Sequence, residues 1–331
     1  EKLQKKQLPD GGFPWFGGNR SDRYITQHIL QGIGELYHLN IKDEKLGTIV
    51  SPALNYMDKL LIEDDKAARK LKDYATRPLN AIEIQAWFAR SFFTDKQMDE
   101  ATGKVQALYL KRAADQWTTQ NVYKQAMIAL TMQRYKAPAL TQQIEKSLLE
   151  TAQQSDDMGM YWAKNQRGYF WYESPVETQS LLIELFTEAG NNAKAIEEMK
   201  IWLLRNKQAN NWKTTTATAA ACYALLLKGD NILARTGASE IKLNGKPLED
   251  IKPEVKADAG TGYIKTSWID EQVKPSLGKI DIKNNGTNLS WGAMHWQYLE
   301  DMDKITSAQS NIRLSRKYFI QNRVLRGKIL L

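Results

Sequence analysis

Carboxylates and aromatic rings share two short stretches of this chain. "QLPDGGFPWF", residues 7–16, sets Asp10 ahead of Trp15 and Phe16, and "YFWYESPVE", residues 169–177, sets Glu173 and Glu177 beside Trp171 and Tyr172. Two carboxyl groups facing each other across an aromatic-lined cleft are the equipment of acid–base glycoside cleavage. Trp212 would extend such a cleft, so a carbohydrate-active or glycan-binding site built on Asp10 and Glu173 is one reading. The other is structural. Glu177 stands three residues after Ser174, the spacing of a capping box, and Asp10 fits a Pro-Asp-Gly-Gly turn.

Other chemistry is poorly supplied. Asp64-Asp65 meets Ala68, and Asp156-Asp157 meets Met160, where an Asp-Asp-x-x-Asp magnesium motif needs its third acid. Both pairs read as solvated helix ends. Cys222 is the sole cysteine, which rules out an internal disulfide and a cysteine-based zinc cluster. Within "AAACYALL" it is expected as a small buried side chain on an apolar helix face. His28, His38 and His295 stand at no ligand spacing from it and are expected in structural or surface roles. No Gly-rich phosphate loop, Ser-His-Asp set or His-Glu-x-x-His motif occurs. The expectation is a chain that is not an enzyme and holds neither metal nor cofactor.

Composition narrows the class. Lys and Arg number 46 against 38 Asp and Glu, a net charge of +8 over 331 residues without a block of like charge. That pattern lacks the basic stripe of a nucleic-acid binder. No apolar run approaches the roughly 20 residues of a membrane span, and "EKLQKKQ" has no apolar signal-peptide core. The chain opens within a charged helical pattern and closes on "GKILL", which reads as a strand, so a fragment of a longer protein is expected.

Positioning elements follow from periodicity. Up to about Gly229 apolar residues recur at helical spacing, as in Ile25, Ile29, Ile33 and Leu36, or Leu181, Leu182, Leu185 and Phe186. Ser51-Pro52 and Ser174-Pro175 read as a capping serine before a first-turn proline, and Asn80 with Glu83, Thr94 with Gln97, and Ser174 with Glu177 have capping-box spacing. Nine or ten helices result, alternating between small apolar ones such as "TTTATAAACYALLL" and long charged ones such as "EATGKVQALYLKRAADQW". The alternation predicts an inner set of buried helices covered by an outer amphipathic set. Aligning the inner helices puts Gln27, Gln85, Gln125, Gln179 and Ala219 in one column, each about one helix pair from the next. From residue 237 to 305 the period changes to two. Asn244-Gly245 and Asn285-Gly286 mark hairpin turns, and "TGYIKTSWI" alternates like a strand. Residues 306–331 read as a linker or the start of a following β-domain.

A glutamine, a glycine turn and an aromatic residue precede inner helices in "QLPDGGFPWF" and "NQRGYFWYESPVETQ", and "NKQANNWKTTTAT" repeats the glutamine and the aromatic without the glycine. This arrangement resembles the repeat of the terpenoid-cyclase and protein-prenyltransferase α/α toroids, where the aromatic plugs the junction between helix pairs. Within that superfamily residues 3–36, 169–186, 211–226 and 289–305 resemble, in order, the thioester-domain toroid and following β-segment of the bacterial α2-macroglobulin family, Bacteroides-type members included. The resemblance implies a mainly α chain, 1–236 forming an α/α toroid of antiparallel helix pairs and 237–305 a small β-rich segment. A full ring has twelve helices, so two or three opening helices are expected upstream of Glu1. It further implies a periplasmic or envelope-anchored trap for proteases, partnered by proteases and by other domains of its own chain. The family's Cys-x-Glu-Gln thioester is absent from these residues. Its housing, with an aromatic surface of Trp15, Phe16, Trp171, Tyr172 and Trp212, is what these residues would contribute.

Overall fold

The structure is a computed structural model. It describes residues 2–74, 76–155, 158–190, 192–210, 212–227, 239–257 and 264–285, with 292, 294–297, 299 and 301 beyond them. Two units divide the chain, Glu1–Ser290 and Trp291–Leu331. In the second, the described residues Met294, Trp296 and Leu299 are exposed. The Asp156-Asp157 pair, Gly286 of the second Asn-Gly turn and the terminal "GKILL" lie outside the described residues.

The first unit is mainly helical. Its helices are α1 (Arg23–His38), α2 (Glu44–Ala68), α3 (Ala81–Ser91), α4 (Glu100–Gln116), α5 (Val122–Arg134), α6 (Pro138–Thr151), α7 (Pro175–Ala189), α8 (Ala193–Asn210), α9 (Thr215–Leu226) and the single turn α10 (Leu248–Ile251). Short side chains start them: Asp22, Asp43, Asn80, Asp99, Asn121 and Thr214 each accept a hydrogen bond from a first-turn backbone N–H. Three of the expected starts are corrected. Pro52 lies inside α2, which begins at Asp43; Thr94 falls in the turns between α3 and α4, where Asp99 supplies the cap. Ser174 does precede α7, but its hydroxyl donates to Trp171 O and caps nothing, so the Ser174–Glu177 capping box does not form.

The odd-numbered helices α1, α3, α5, α7 and α9 pack each on the next, while α2 packs on α1, α6 on α5 and α8 on α7. Trp87 of α3 stacks on Tyr109 of α4 at 5.6 Å. Residues Glu83–Ser91 of α3 and Thr178–Phe186 of α7 are buried without interruption, as helices apolar on all sides must be. One contiguous core runs from Phe13 to Ala224. Three glutamines of the column, Gln27, Gln125 and Gln179, share a role. Gln27 donates to Ile82 O of α3 (3.3 Å), Gln125 to Gln120 O (3.0 Å), and Gln179 to Met160 O and Met199 O (2.7 and 3.3 Å). Side-chain amides thus supply donors to carbonyls of neighbouring segments.

Small antiparallel sheets complete the unit. β1 (Phe13–Pro14) pairs with β2 (Ser21–Asp22), and β3 (Gln153–Ser155) with β4 (Gly159–Tyr161), which lies along α8. β5 (Glu240–Leu243) stands between β6 (Lys246–Pro247) and β7 (Ile280–Lys283). Asn244 and Gly245, at φ 51° and 79°, make the expected turn between β5 and β6. The described part of "TGYIKTSWI", residues 264–269, forms no strand.

Candidate functional site

The inner helices run parallel, and their two ends differ. At the N-terminal ends, Tyr24 of α1 lies 5.4 Å from Trp171, which meets Tyr123 of α5 at 5.8 Å and Tyr172 at 5.4 Å. Trp15 stacks on Tyr24 at 6.1 Å and Phe16 follows at 6.4 Å. Trp15, Phe16, Trp171 and Tyr172 therefore share one surface, continued by Phe170 and by Tyr169, which is 93% exposed. Trp212 stands apart from these ring pairs. Its Nε1 donates to Leu203 O of α8 at 3.2 Å and Lys207 lies over its ring.

Backbone design explains these loops. Gln7 Nε2 donates to Gly11 O and to Ile49 O, both at 2.9 Å. Ile49 O is one residue on from the Thr48 carbonyl that Pro52 leaves without its usual donor. Gly11 has φ +89° and a Cβ there would lie 2.2 Å from Pro52 O, so only glycine fits. Phe13 is 1% exposed and its N–H donates to Thr26 Oγ1 at 2.9 Å.

The carboxylates of this end are engaged locally. Asp10 Oδ1 accepts from Gly12 N at 3.0 Å and from Ser21 Oγ at 2.6 Å, bracing its turn as expected. Glu173 Oε2 accepts from Phe170 N at 3.1 Å within its own loop. Glu177 Oε1 accepts from Thr216 Oγ1 at 3.0 Å and so ties α7 to α9, not to Ser174.

The C-terminal ends meet in charge. Arg134, the last residue of α5, places Nη2 2.5 Å from both Glu184 Oε1 and Glu188 Oε1 of α7, and its guanidinium stacks 3.7 Å from the Phe92 ring centre. Arg134 Nη1 donates to Ser91 Oγ of α3 at 3.2 Å. Tyr223 of α9 donates to Glu184 Oε1 at 2.8 Å and lies 3.4 Å from His38 Nδ1, the last residue of α1. Glu35 of α1 accepts from Gln31 at 2.8 Å. Burial raises the Glu35 carboxyl to about 6 and lifts Glu184 well above the ordinary carboxylate range, Arg134 opposing both. His38 is lowered by burial and by Arg134, with Glu188 pulling the other way. Burial works against the Arg134 charge, but Glu188 and Glu184 outweigh it and raise its pKa. Ligand-type atoms of His38, Glu184 and Glu188 lie within 4.8 Å of one another, yet the guanidinium occupies those oxygens and is itself the cation of the cluster.

Sequence reasoning passed over Arg134, Glu184, Glu188, Glu35 and Tyr223. The readable signal was a charge inside an otherwise apolar inner helix, as in "LLIELF", since such a group is buried only when paired. Two expectations are corrected here. Cys222 is exposed, in an open depression with Trp212, Thr214, Thr218 and Ala219. The reason is that α9 packs on α7 but leaves its Thr215, Ala219, Cys222 and Leu226 side uncovered among the described residues. Asp64 and Asp65 are not solvated ends. Asp64 pairs with Arg23, and Asp65 holds Arg69 at 2.8 Å and the Tyr74 hydroxyl at 2.7 Å.

The chain matches no model of a known protein family and no curated protein.

Proposed function

We propose that this chain is the toroidal helical part, with the adjoining β-segment, of a bacterial α2-macroglobulin-like protease trap, and that it acts as a scaffold without catalysis of its own. The observation that carries the reading is the sequential packing of α1, α3, α5, α7 and α9, with Tyr223 of the last reaching His38 of the first. A series of parallel helices whose ends return to each other is how an inner ring would be built. Local engagement of Asp10, Glu173 and Glu177 supports a scaffold over an enzyme. On this reading the partners are proteases and other domains of the same protein, the compartment is the periplasm or cell envelope, and any covalent chemistry resides outside these residues.

The test uses the full gene product that contains this chain. It is incubated with a protease of broad specificity and resolved by denaturing electrophoresis, with and without methylamine pretreatment. Cleavage in one discrete region with loss of protease activity toward large substrates is expected. A high-mass adduct abolished by methylamine would add a thioester. Cleavage at scattered sites with the protease left fully active would sink the proposal.

A second reading, glycan binding without cleavage, draws on the exposed Trp15, Phe16, Tyr169 and Phe170 surface. Retarded migration in native gels cast with polysaccharide, lost on replacing Trp15 and Phe16, is its expected signature. Unchanged migration across a polysaccharide panel removes it.

A further inference from the structure

The cluster at the C-terminal ends holds more acid than fixed base. Glu184 and Glu188 of α7 hold one permanent cation, Arg134 of α5, and Glu35 of α1, bonded to Gln31, feels the same charge. The remaining groups facing them are Gln31 and His38 of α1, Phe88, Phe92 and Ser91 of α3, and Tyr223 of α9. None of these adds a permanent charge. The Glu184 side chain is 2% exposed and that of Glu188 17%, so water screens them poorly. All three carboxylates ionised would leave two uncompensated negative charges in a closed space. The C-terminal ends of parallel helices add further negative potential.

We propose that this cluster is a proton-binding site, and that the proton it keeps, chiefly on Glu184 of the Glu184–Glu188 pair, holds α1 and α7 together. With the proton bound, the uncompensated negative charge falls from two to one, and Tyr223 bridges Glu184 and His38. Without it, α7 and α1 repel across the cluster, and the Tyr223 hydroxyl, which donates to Glu184, opposes that loss by holding the ionised carboxylate. His38 is the alternative seat. Its neutral form is favoured by burial and Arg134, so it takes the proton only when the carboxyls cannot.

The sign of the effect follows from linkage. Carboxyls whose folded pKa exceeds the unfolded value stabilise the fold fully below the ordinary carboxylate range, and that stability is lost as pH rises through their folded values, about 6 for Glu35 and higher for Glu184. His38, with a lowered pKa, acts oppositely and weakens the fold only as pH falls below the ordinary histidine range.

The experiment uses the whole chain, wild type beside Glu184→Gln, Glu35→Gln and Tyr223→Phe. Thermal midpoints are measured from about pH 5.5 to about pH 8.5, and side-chain carboxyls are followed by carbon-13 NMR. The wild-type midpoint is expected to fall by several degrees across that window, Glu184→Gln to remove a large part of the slope, and Glu35→Gln only its low-pH portion. A carboxyl resonance titrating above about pH 6 should vanish in one of the glutamine variants. Tyr223→Phe, which removes a donor to the ionised Glu184, should retain that resonance and move its titration to higher pH. A merely structural cluster would give variant curves offset from, but parallel to, the wild type. Parallel curves, or carboxyls that all titrate below about pH 5.5, overturn the proposal, and the wild-type titration decides it even should Glu184→Gln fail to fold.

Discussion

The two ends of the inner helices are held by different physics. At the N-terminal ends, rings meet rings: Trp15, Tyr24, Trp171 and Tyr123 bring loop and helix together through apolar area, with Asp22, Asn121 and Thr214 as caps. At the C-terminal ends, one arginine gathers carboxylates, a tyrosine and a histidine from four other helix ends or turns. Acidic caps at helix N-termini agree with the helix dipole, whereas Glu184 and Glu188 near a C-terminus oppose it. The aromatic end is therefore redundant and tolerant, while the charged end depends on a single cation.

That contrast predicts where substitution hurts most. Arg134→Leu removes the one permanent counter-charge that Glu184 and Glu188 have among the described residues and leaves Glu184 buried. A loss of about 3–5 kcal/mol is expected, read as a fall in the urea midpoint at constant slope. A loss below about 1 kcal/mol would mean that the charged end carries no special weight and that the contrast is false. Phe13→Ala tests the aromatic end at its most buried ring, and about 3 kcal/mol is expected from the cavity.

Gln179→Ala probes the joint between the two ends. Its amide donates to Met160 O and Met199 O, and leaving both carbonyls without that donor should cost about 1–3 kcal/mol. Amide exchange in α8 and around β4 reports it directly. If only global stability falls, with no local loss of protection there, the glutamine column is a packing feature and not a tether.

The sequence made one of these ends legible and hid the other. Turn residues and the aromatics of "PDGGFPWF" are local signals that act close to where they stand, Asp10 in its turn and Phe13 against Thr26; the Gln column was legible by its repetition, though Gln27 reaches Ile82 on the next helix. The cluster about Arg134 joins residues of α1, α3, α5, α7 and α9 that are neighbours only after the helices have packed. No spacing rule along the chain encodes such a meeting. Misplaced helix starts have a different cause. Pro52 reads as a first-turn proline, yet Gln7 bonds the Ile49 carbonyl beside the Thr48 carbonyl that the proline deprives, and α2 continues through it. Cys222 was misread because α9 is apolar on every side, which predicts full burial, whereas one side of it is open.

The smallest expected effect is the sharpest test of what the aromatic end is for. Trp15 and Phe16 are 53% and 68% exposed at the tip of the β1–β2 hairpin, whereas Phe13 in the same stretch is 1% exposed. If rings here serve only as mortar, the exposed pair contributes the Trp15–Tyr24 stack and little more. Replacing both by alanine should then change stability by about 0.5–1 kcal/mol, against about 3 kcal/mol for Phe13. A larger loss would place Trp15 and Phe16 within the fold and leave less exposed surface for any ligand. A near-zero loss would mean that two large rings are kept in water without stabilising the fold, which is costly for solubility and points to contact with another molecule. Binding assays with the double variant would then separate a protein partner from a glycan, because stacked rings in a glycan site tolerate Trp15→Tyr, whereas a packed protein contact tolerates it less.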